Sequence, residues 1–284
     1  MFVIIGIVVV MGSMLGGYLM HHGDIRVLIQ VNEFLIIGGV AFGSMLVANP
    51  MFIIKRIIAG VMGTLKGHSF SKDDYLELIK MLYETFQFAK REGLIALEPH
   101  VENPESSSII GKYPSFLKNE SAVSFFTDTL KVILSGGVPA HDLEELMDRD
   151  LEAMHEEEHT VINSLNTVAD AFPGIGIVAA VLGVIITMGS ISEGAETVGA
   201  NVAAALVGTF LGILLSYGVV GPIVRNMDIN HGLHSKYLEC IKASLLSFAK
   251  GAPAAVSIEY GRRSIDPEHR PTFQEAEEAS KQTR

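Results

Sequence analysis

Four uncharged runs constrain this chain more than any motif does. The first is Met1 to Met20, M-F-V-I-I-G-I-V-V-V-M-G-S-M-L-G-G-Y-L-M. The second extends from Phe34 to Ile54, between Glu33 and Lys55. The third lies between Asp170 and Glu193, and the fourth, 28 residues long, between Glu196 and Arg225. A helix needs about 20 apolar residues to cross roughly 30 Å of hydrocarbon, and each run is long enough. Each also carries several glycines, which membrane helices tolerate better than water-exposed ones. Four such runs in 284 residues argue for membrane helices rather than for the core of a soluble protein. The first run lacks a basic n-region and an A-x-A site, so it reads as a retained helix and not as a signal peptide.

Charge sets the orientation. Only 19% of residues are charged, and mean hydropathy is +0.37. Between Lys55 and Asp170 lie 11 Lys/Arg, and from Arg225 onward another 9, so 20 of 21 basic residues fall on one side of the four runs. Arg26 alone stands on the other. Lys55, Arg56, Lys66 and Arg225 lie close to span ends, where positive charge marks the cytoplasmic face. Both termini and the large loop are therefore expected in the cytoplasm of a multi-pass membrane protein. A net charge of −11 argues against nucleic acid as a partner. The single cysteine, Cys240, excludes a disulfide framework and a cysteine zinc site.

The loop has helical periodicity. Ser71 is placed to N-cap a helix with Asp73 and Asp74 in its first turn, and Leu76, Ile79, Leu82, Tyr83, Phe86 and Ala89 follow at a spacing of three to four. Gly93 can end it. The segment E-P-H-V-E-N-P is expected to be irregular. A second helical stretch covers Ala122 to Leu134 and closes at Gly136 and Gly137. A third starts near Pro139, carries the stripe Leu143, Leu146, Met147, Leu151 and Met154, and meets no breaker before Pro173, so it can run into the third span. No strand signal stands out. The expected fold class is an all-α membrane protein, four transmembrane helices with a large helical cytoplasmic domain. Its parts are 1–54 (spans one and two), 55–170 (cytoplasmic domain), 171–224 (spans three and four) and 225–284 (cytoplasmic tail). The tail starts helical from Leu233 to Ala249, and its last ~15 residues are expected to fray.

Two motifs need weighing. His155 to His159 reads H-E-E-E-H, which fits a helical zinc pair with Glu156 as base. A third ligand and a drier, concave site are also required, and this run is acidic and solvated, so it reads as a water-facing helix surface. No metal, cofactor or enzymatic activity is expected. The pairs Gly12/Gly16, Gly39/Gly43 and Gly208/Gly212 have the small-xxx-small spacing that lets membrane helices approach closely.

No Asp, Glu, Lys, Arg or His interrupts the four runs. Ion pathways in membranes are normally marked by ionisable groups, and here only hydroxyls and backbone are on offer: Thr187, Ser190, Thr209, Ser216 and Tyr217. Either the chain transports nothing and is a passive scaffold, or a second polypeptide supplies the carboxylate. Pro173 marks the cytoplasmic start of span three, where a first-turn proline costs little, and Pro222 the cytoplasmic end of span four. Each is either punctuation at the bilayer interface or a hinge.

The segments F-P-G-I-G-I-V-A-A-V-L-G (Phe172 to Gly183) and V-G-T-F-L-G-I-L-L-S-Y-G (Val207 to Gly218), with L-E-P-H-V-E-N-P, E-E-L-M-D-R-D-L-E and E-Y-G-R-R…E-H-R-P-T-F-Q-E, resemble the MotA family of flagellar motor stator subunits. The two span segments alone would also suit ExbB/TolQ-like proton-driven subunits, which usually have three spans and lack this tail. The resemblance implies a homo-oligomer of five copies in membrane lipid around two copies of a MotB-type, peptidoglycan-anchored partner that carries a membrane aspartate. It implies an ion path at spans three and four including Thr209, Ala180 and Tyr217, and coupling prolines at Pro173 and Pro222. It further implies that the cytoplasmic domain meets the rotor protein FliG through Glu98 and a basic residue, Lys90 or Arg91. Sodium-driven members carry a threonine where this chain has Ala180, which implies a proton as the ion.

Overall fold

The computed structural model describes residues 2–67 and 70–281, and every regular element among them is helical. The α-helices are α1 (Phe2–Met20), α2 (Ile25–Leu28), α3 (Val31–Ala48), α4 (Met51–Lys66), α5 (Lys72–Glu92), α6 (Glu98–Glu102), α7 (Pro114–Leu117), α8 (Glu120–Ser135), α9 (Ala140–Gly189), α10 (Ala195–Ile213), α11 (Gly221–Ala249), α12 (Ala254–Ser264) and α13 (Phe273–Lys281). Wide π-helical turns over Leu214–Val220 join α10 to α11 without a break. Four helical stretches are long and apolar enough to cross a membrane: Phe2–Met20, Ile25–Ala48, Ala140–Gly189 and Ala195–Ala249. The chain divides into two compact units, Met1–His68 with Glu157–Ile229, and Ser69–Glu156 with Asn230–Arg284.

The first unit is apolar. One cluster joins Ile37 and Ala41 of α3 to Phe172, Ile175 and Ala179 of α9 and to Val207 and Leu211 of α10. A second joins Ile53 and Ile57 of α4 to Val161, Ile162, Leu165 and Ala169 of α9 and to Ile223, Val224 and Met227 of α11. Helix α1 buries none of its residues. Arg56 pairs with Glu157 at 2.8 Å.

The second unit is a water-soluble type of core. Ser71 and Asp74 form a reciprocal capping box at the start of α5, so the expected N-cap is found, and Gly93 ends the helix at φ 94°. Tyr75, Leu78, Ile79, Leu82 and Phe86 face inward against Phe116, Phe125, Phe126, Tyr237, Ile241 and Leu245. Phe86 stacks on Phe248 with ring centroids 4.4 Å apart. Each fully buried side chain of this size is worth about 1.5–3 kcal/mol over its exposed state. Glu77 reaches across to accept the backbone N–H of Ser115 at 2.7 Å, which caps α7.

Several expectations are corrected. The second uncharged run is not one helix to Ile54: it stops at Ala48, and Pro50 restarts the chain as α4, because the residue before a proline is driven out of the helical region. E-P-H-V-E-N-P is partly helical, since Pro99 falls in the first turn of α6, where its missing N–H has no partner to lose. Pro173 is not in a first turn. It lies deep inside the 50-residue α9, where it leaves the Ala169 carbonyl without its usual donor.

The tail also departs from the fraying expected of it. Thr272 and Glu275 form a second reciprocal box (Thr272 N–H to Glu275 Oε2 2.7 Å, Glu275 N–H to Thr272 Oγ1 3.2 Å), and Lys72 holds Glu275 at 2.7 Å. Ala276, Ala279 and Ser280 of α13 are buried. Glu259 grips Arg262 through both carboxylate oxygens and also pairs with Arg263, while Arg262 donates to the Pro271 carbonyl. The Arg262 hydrogen bonds and then those of Arg263 hold the Glu259 carboxyl down at about 2. The last three residues of the expected fraying segment, 282–284, lie outside the described residues.

Candidate functional site

Helices α9 and α10 cross on glycine. A methyl group placed on Gly176 would lie 2.7 Å from the Gly208 carbonyl oxygen and 3.1 Å from Gly212 Cα. One placed on Gly212 would lie 2.5 Å from the Phe172 carbonyl oxygen and 3.0 Å from Gly176 Cα. The obstructing atoms are backbone, so only glycine allows the two helices this approach. Further along, a methyl on Gly183 would meet the Ala205 methyl at 2.6 Å. The Gly208/Gly212 spacing therefore marks a real close contact. Gly12, Gly16, Gly39 and Gly43 have nothing within 4 Å of the corresponding position.

This crossing gathers two of the three residues expected on the ion path. Thr209 Cα lies 3.3 Å from the methyl position of Gly176, and the Ala180 amide nitrogen lies 3.2 Å from that of Gly208. Both side chains are half-buried. Tyr217 is not part of the crossing; it sits in the π-helical turns and is 72% exposed. The Thr187 hydroxyl is buried and donates to the Gly183 carbonyl of its own helix at 2.8 Å. Pro173 follows Phe172, whose carbonyl packs on Gly212, so it adjoins the crossing. Pro222 is exposed and follows the π-helical turns directly. Widening the helix there relieves the contact between the proline ring and the carbonyl four residues earlier.

Glu33 was not singled out by its sequence position, since it borders the second uncharged run. In the structure it is 7% exposed, and its Oε2 is buried with no hydrogen-bond partner. A methyl on Gly208 would collide with that oxygen. The helix start at Val31 supplies the missing signal, because it puts Glu33 on the same inward stripe as Ile37 and Ala41, four and eight residues on.

In the second unit, Lys90 and Arg91 close α5, and Glu98 opens α6 after a short 3₁₀ turn over Leu94–Leu97. All three are exposed, with Arg91 Nε bonded to Glu92 at 2.8 Å. Neighbouring Ala89 and Leu97 are buried and fix the turn that presents the charges. Leu94 and Ile95, at 42% and 78% exposure, stand between them. His155 and His159 do not converge with a third ligand. His155 Nδ1 lies 2.8 Å from His231 Nε2, and His159 meets Asn163. Among the described residues no cluster of three His, Cys, Asp or Glu could hold a metal ion.

Residues 4–93 match the family model for the motility protein A N-terminal region, and residues 118–228 match that of the MotA/TolQ/ExbB proton channel family. Motility protein A of Escherichia coli (strain K12) is 36% identical over 98% of this chain and 94% of its own length. Chemotaxis protein LafT of Vibrio parahaemolyticus is 35% identical over 96% of each. Among solved structures, a C. jejuni MotAB chain superposes with a TM-score of 0.76 at 20% identity, covering 94% of this chain and 97% of its own. A chain of the flagellar MotAB stator complex from Bacillus subtilis gives 0.72 at 24% identity, covering 90% and 92%. These two likenesses concern the fold.

Proposed function

The chain belongs to the motility protein A family, and we infer that it is a proton-channel stator subunit of the bacterial flagellar motor. From that premise we propose that its four long apolar stretches cross the inner membrane with both termini and the loop over 55–170 in the cytoplasm. The distribution of 20 of 21 basic residues supports that orientation. The chain works with a MotB-type subunit, as its likeness to the MotAB chains supports, and five copies of it surround two of that partner. The partner supplies the membrane carboxylate that carries the ion and the anchor to peptidoglycan. Glu98 and one basic residue, Lys90 or Arg91, form the charged margin that pushes on FliG.

The observation that supports this reading is the glycine-lined crossing of α9 and α10, with Ala180 on one helix and Thr209 on the other beside the close-packed glycines. A dehydrated sodium ion needs several oxygen ligands around the partner carboxylate. The Ala180 methyl offers none, and Thr209 offers one hydroxyl, enough to place a water beside a proton acceptor. Voltage contributes about 2.3 kcal/mol per charge per 100 mV for either ion, so ligand count decides and the ion is a proton. Motor speed in sodium-free medium tests the claim. Rotation should persist, and should stop when the proton gradient is collapsed. Rotation that requires sodium while the proton gradient is intact refutes it.

A further inference from the structure

We propose that Glu33 is a proton-accepting residue of this channel, one that the chain itself contributes beside the crossing of α9 and α10. The inference rests on the stator reading above. Glu33 is 7% exposed, its Oε2 has no hydrogen-bond partner, and no ion pair involves it among the described residues. An ionised carboxylate with neither counter-charge nor donor is costly in a dry site, and natural sequences keep such groups chiefly where they act on ions.

The position of the oxygen gives the group its role. Oε2 stands at the spot a Gly208 side chain would fill, and the Ala179 methyl and Ala180 amide nitrogen lie 3.0 and 3.2 Å from that same spot. Thr209 is the next residue on α10. The unsatisfied oxygen is therefore delivered to Gly208, which precedes Thr209 and packs on the Ala180 backbone, by a third helix that the path was not expected to involve. Glycine at 208 keeps the space open, and Ile37 and Ala41 hold α3 in register one and two turns further along.

The step is a plain proton relay. A hydronium ion gives its proton to Oε2, leaving water and a neutral carboxylic acid. That O–H then breaks toward the next base, a water or the partner's carboxylate, and the Glu33 carboxylate is regenerated. No electron changes hands. Protonation also removes the cost of the buried charge, so each passing proton discharges and recharges the contact between α3 and α10.

The test uses the full chain co-expressed with its peptidoglycan-anchored partner, comparing wild type, Glu33→Gln and Glu33→Asp. Glutamine keeps the shape and loses the titration; aspartate keeps the titration at a shorter reach. Complex recovery from membranes, bead rotation speed, and proton uptake as a function of pH by the complex in liposomes under an imposed gradient are measured together. The expected result is normal recovery of the Gln variant complex, proton uptake and speed reduced about tenfold or more, within the range for loss of a positioned proton-transfer group, and a pH profile that has lost one titration. The Asp variant recovers part of the rate with a shifted profile. Wild-type speed and pH profile in Glu33→Gln overturn the proposal. Loss of the complex in both variants also overturns it, because the carboxylate would then only hold helices together. Absence of proton-driven rotation in the wild-type complex sinks the stator reading instead, independently of Glu33.

Discussion

Replacing Gly212 with alanine tests the crossing on which the proposed ion path depends. The added methyl would lie 2.5 Å from the Phe172 carbonyl oxygen and 3.0 Å from Gly176 Cα. Comfortable contact begins near ~3.5 Å, so the overlap with the oxygen is about 1 Å. Both obstacles are backbone of α9, and no rotamer change relieves them. Overpacking of this kind costs about 1–3 kcal/mol, and backbone obstruction puts the case near the upper end. The helix propensity of alanine returns at most ~1 kcal/mol, which leaves a net loss of roughly 2 kcal/mol. At about 2–4 °C per kcal/mol, the purified complex should melt about 4–8 °C lower, with α9 and α10 further apart. Gly232→Ala is the control, since nothing lies within 4 Å of its methyl position and only the propensity gain applies. A Gly212→Ala complex that melts with wild type would refute the reasoning.

Three further outcomes are expected. A membrane-impermeant thiol reagent should reach a cysteine placed at Gly194 and not one at Glu105, with little background because Cys240 is buried; the reverse pattern inverts the topology. Reversing the exposed Lys90 and Arg91 together, or Glu98, should change stability by no more than about 0.5 kcal/mol and yet slow swimming. Each single reversal should be milder, because such charges are screened over ~8–10 Å; full motility in the double reversal removes their assigned role. Pro173→Ala and Pro222→Ala should still insert and assemble, alanine being the better helix former by about 3 kcal/mol, while torque falls. Normal torque in both would reduce the prolines to passive features of the helices.

Much of the molecule could be read from spacing alone. Ser71, Gly93 and Gly136 are caps with a direct physical reason, and they bound α5 and α8 where the structure has them. What escaped was set by context. Pro173 looks like a helix start in the sequence, yet α9 continues through it, with Phe172 and Ile175 packed on either side of it. The tail looks frayed by composition, yet T-F-Q-E carries a capping-box signature and Glu259 a bidentate partner. Glu33 was hidden by its label: a charge at the edge of an apolar run reads as a boundary, and only the start of α3 shows that it points inward. Of the site, Ala180 and Thr209 both adjoin the glycine crossing, whereas Tyr217 does not, because the π-helical turns leave it on the exposed face.

Helix α1 has a consequence for the lipid around it. None of its 19 residues is fully buried within the chain, and at 1.5 Å per residue they reach about 28 Å, slightly short of the ~30 Å hydrocarbon layer it is proposed to cross. It therefore has no spare length to absorb by leaning, and even the average tilt of about 20° would shorten its reach. A thicker bilayer must thin around this helix at a fraction of a kcal/mol per Å. Acyl-chain length thus becomes a physical setting that would be felt at α1.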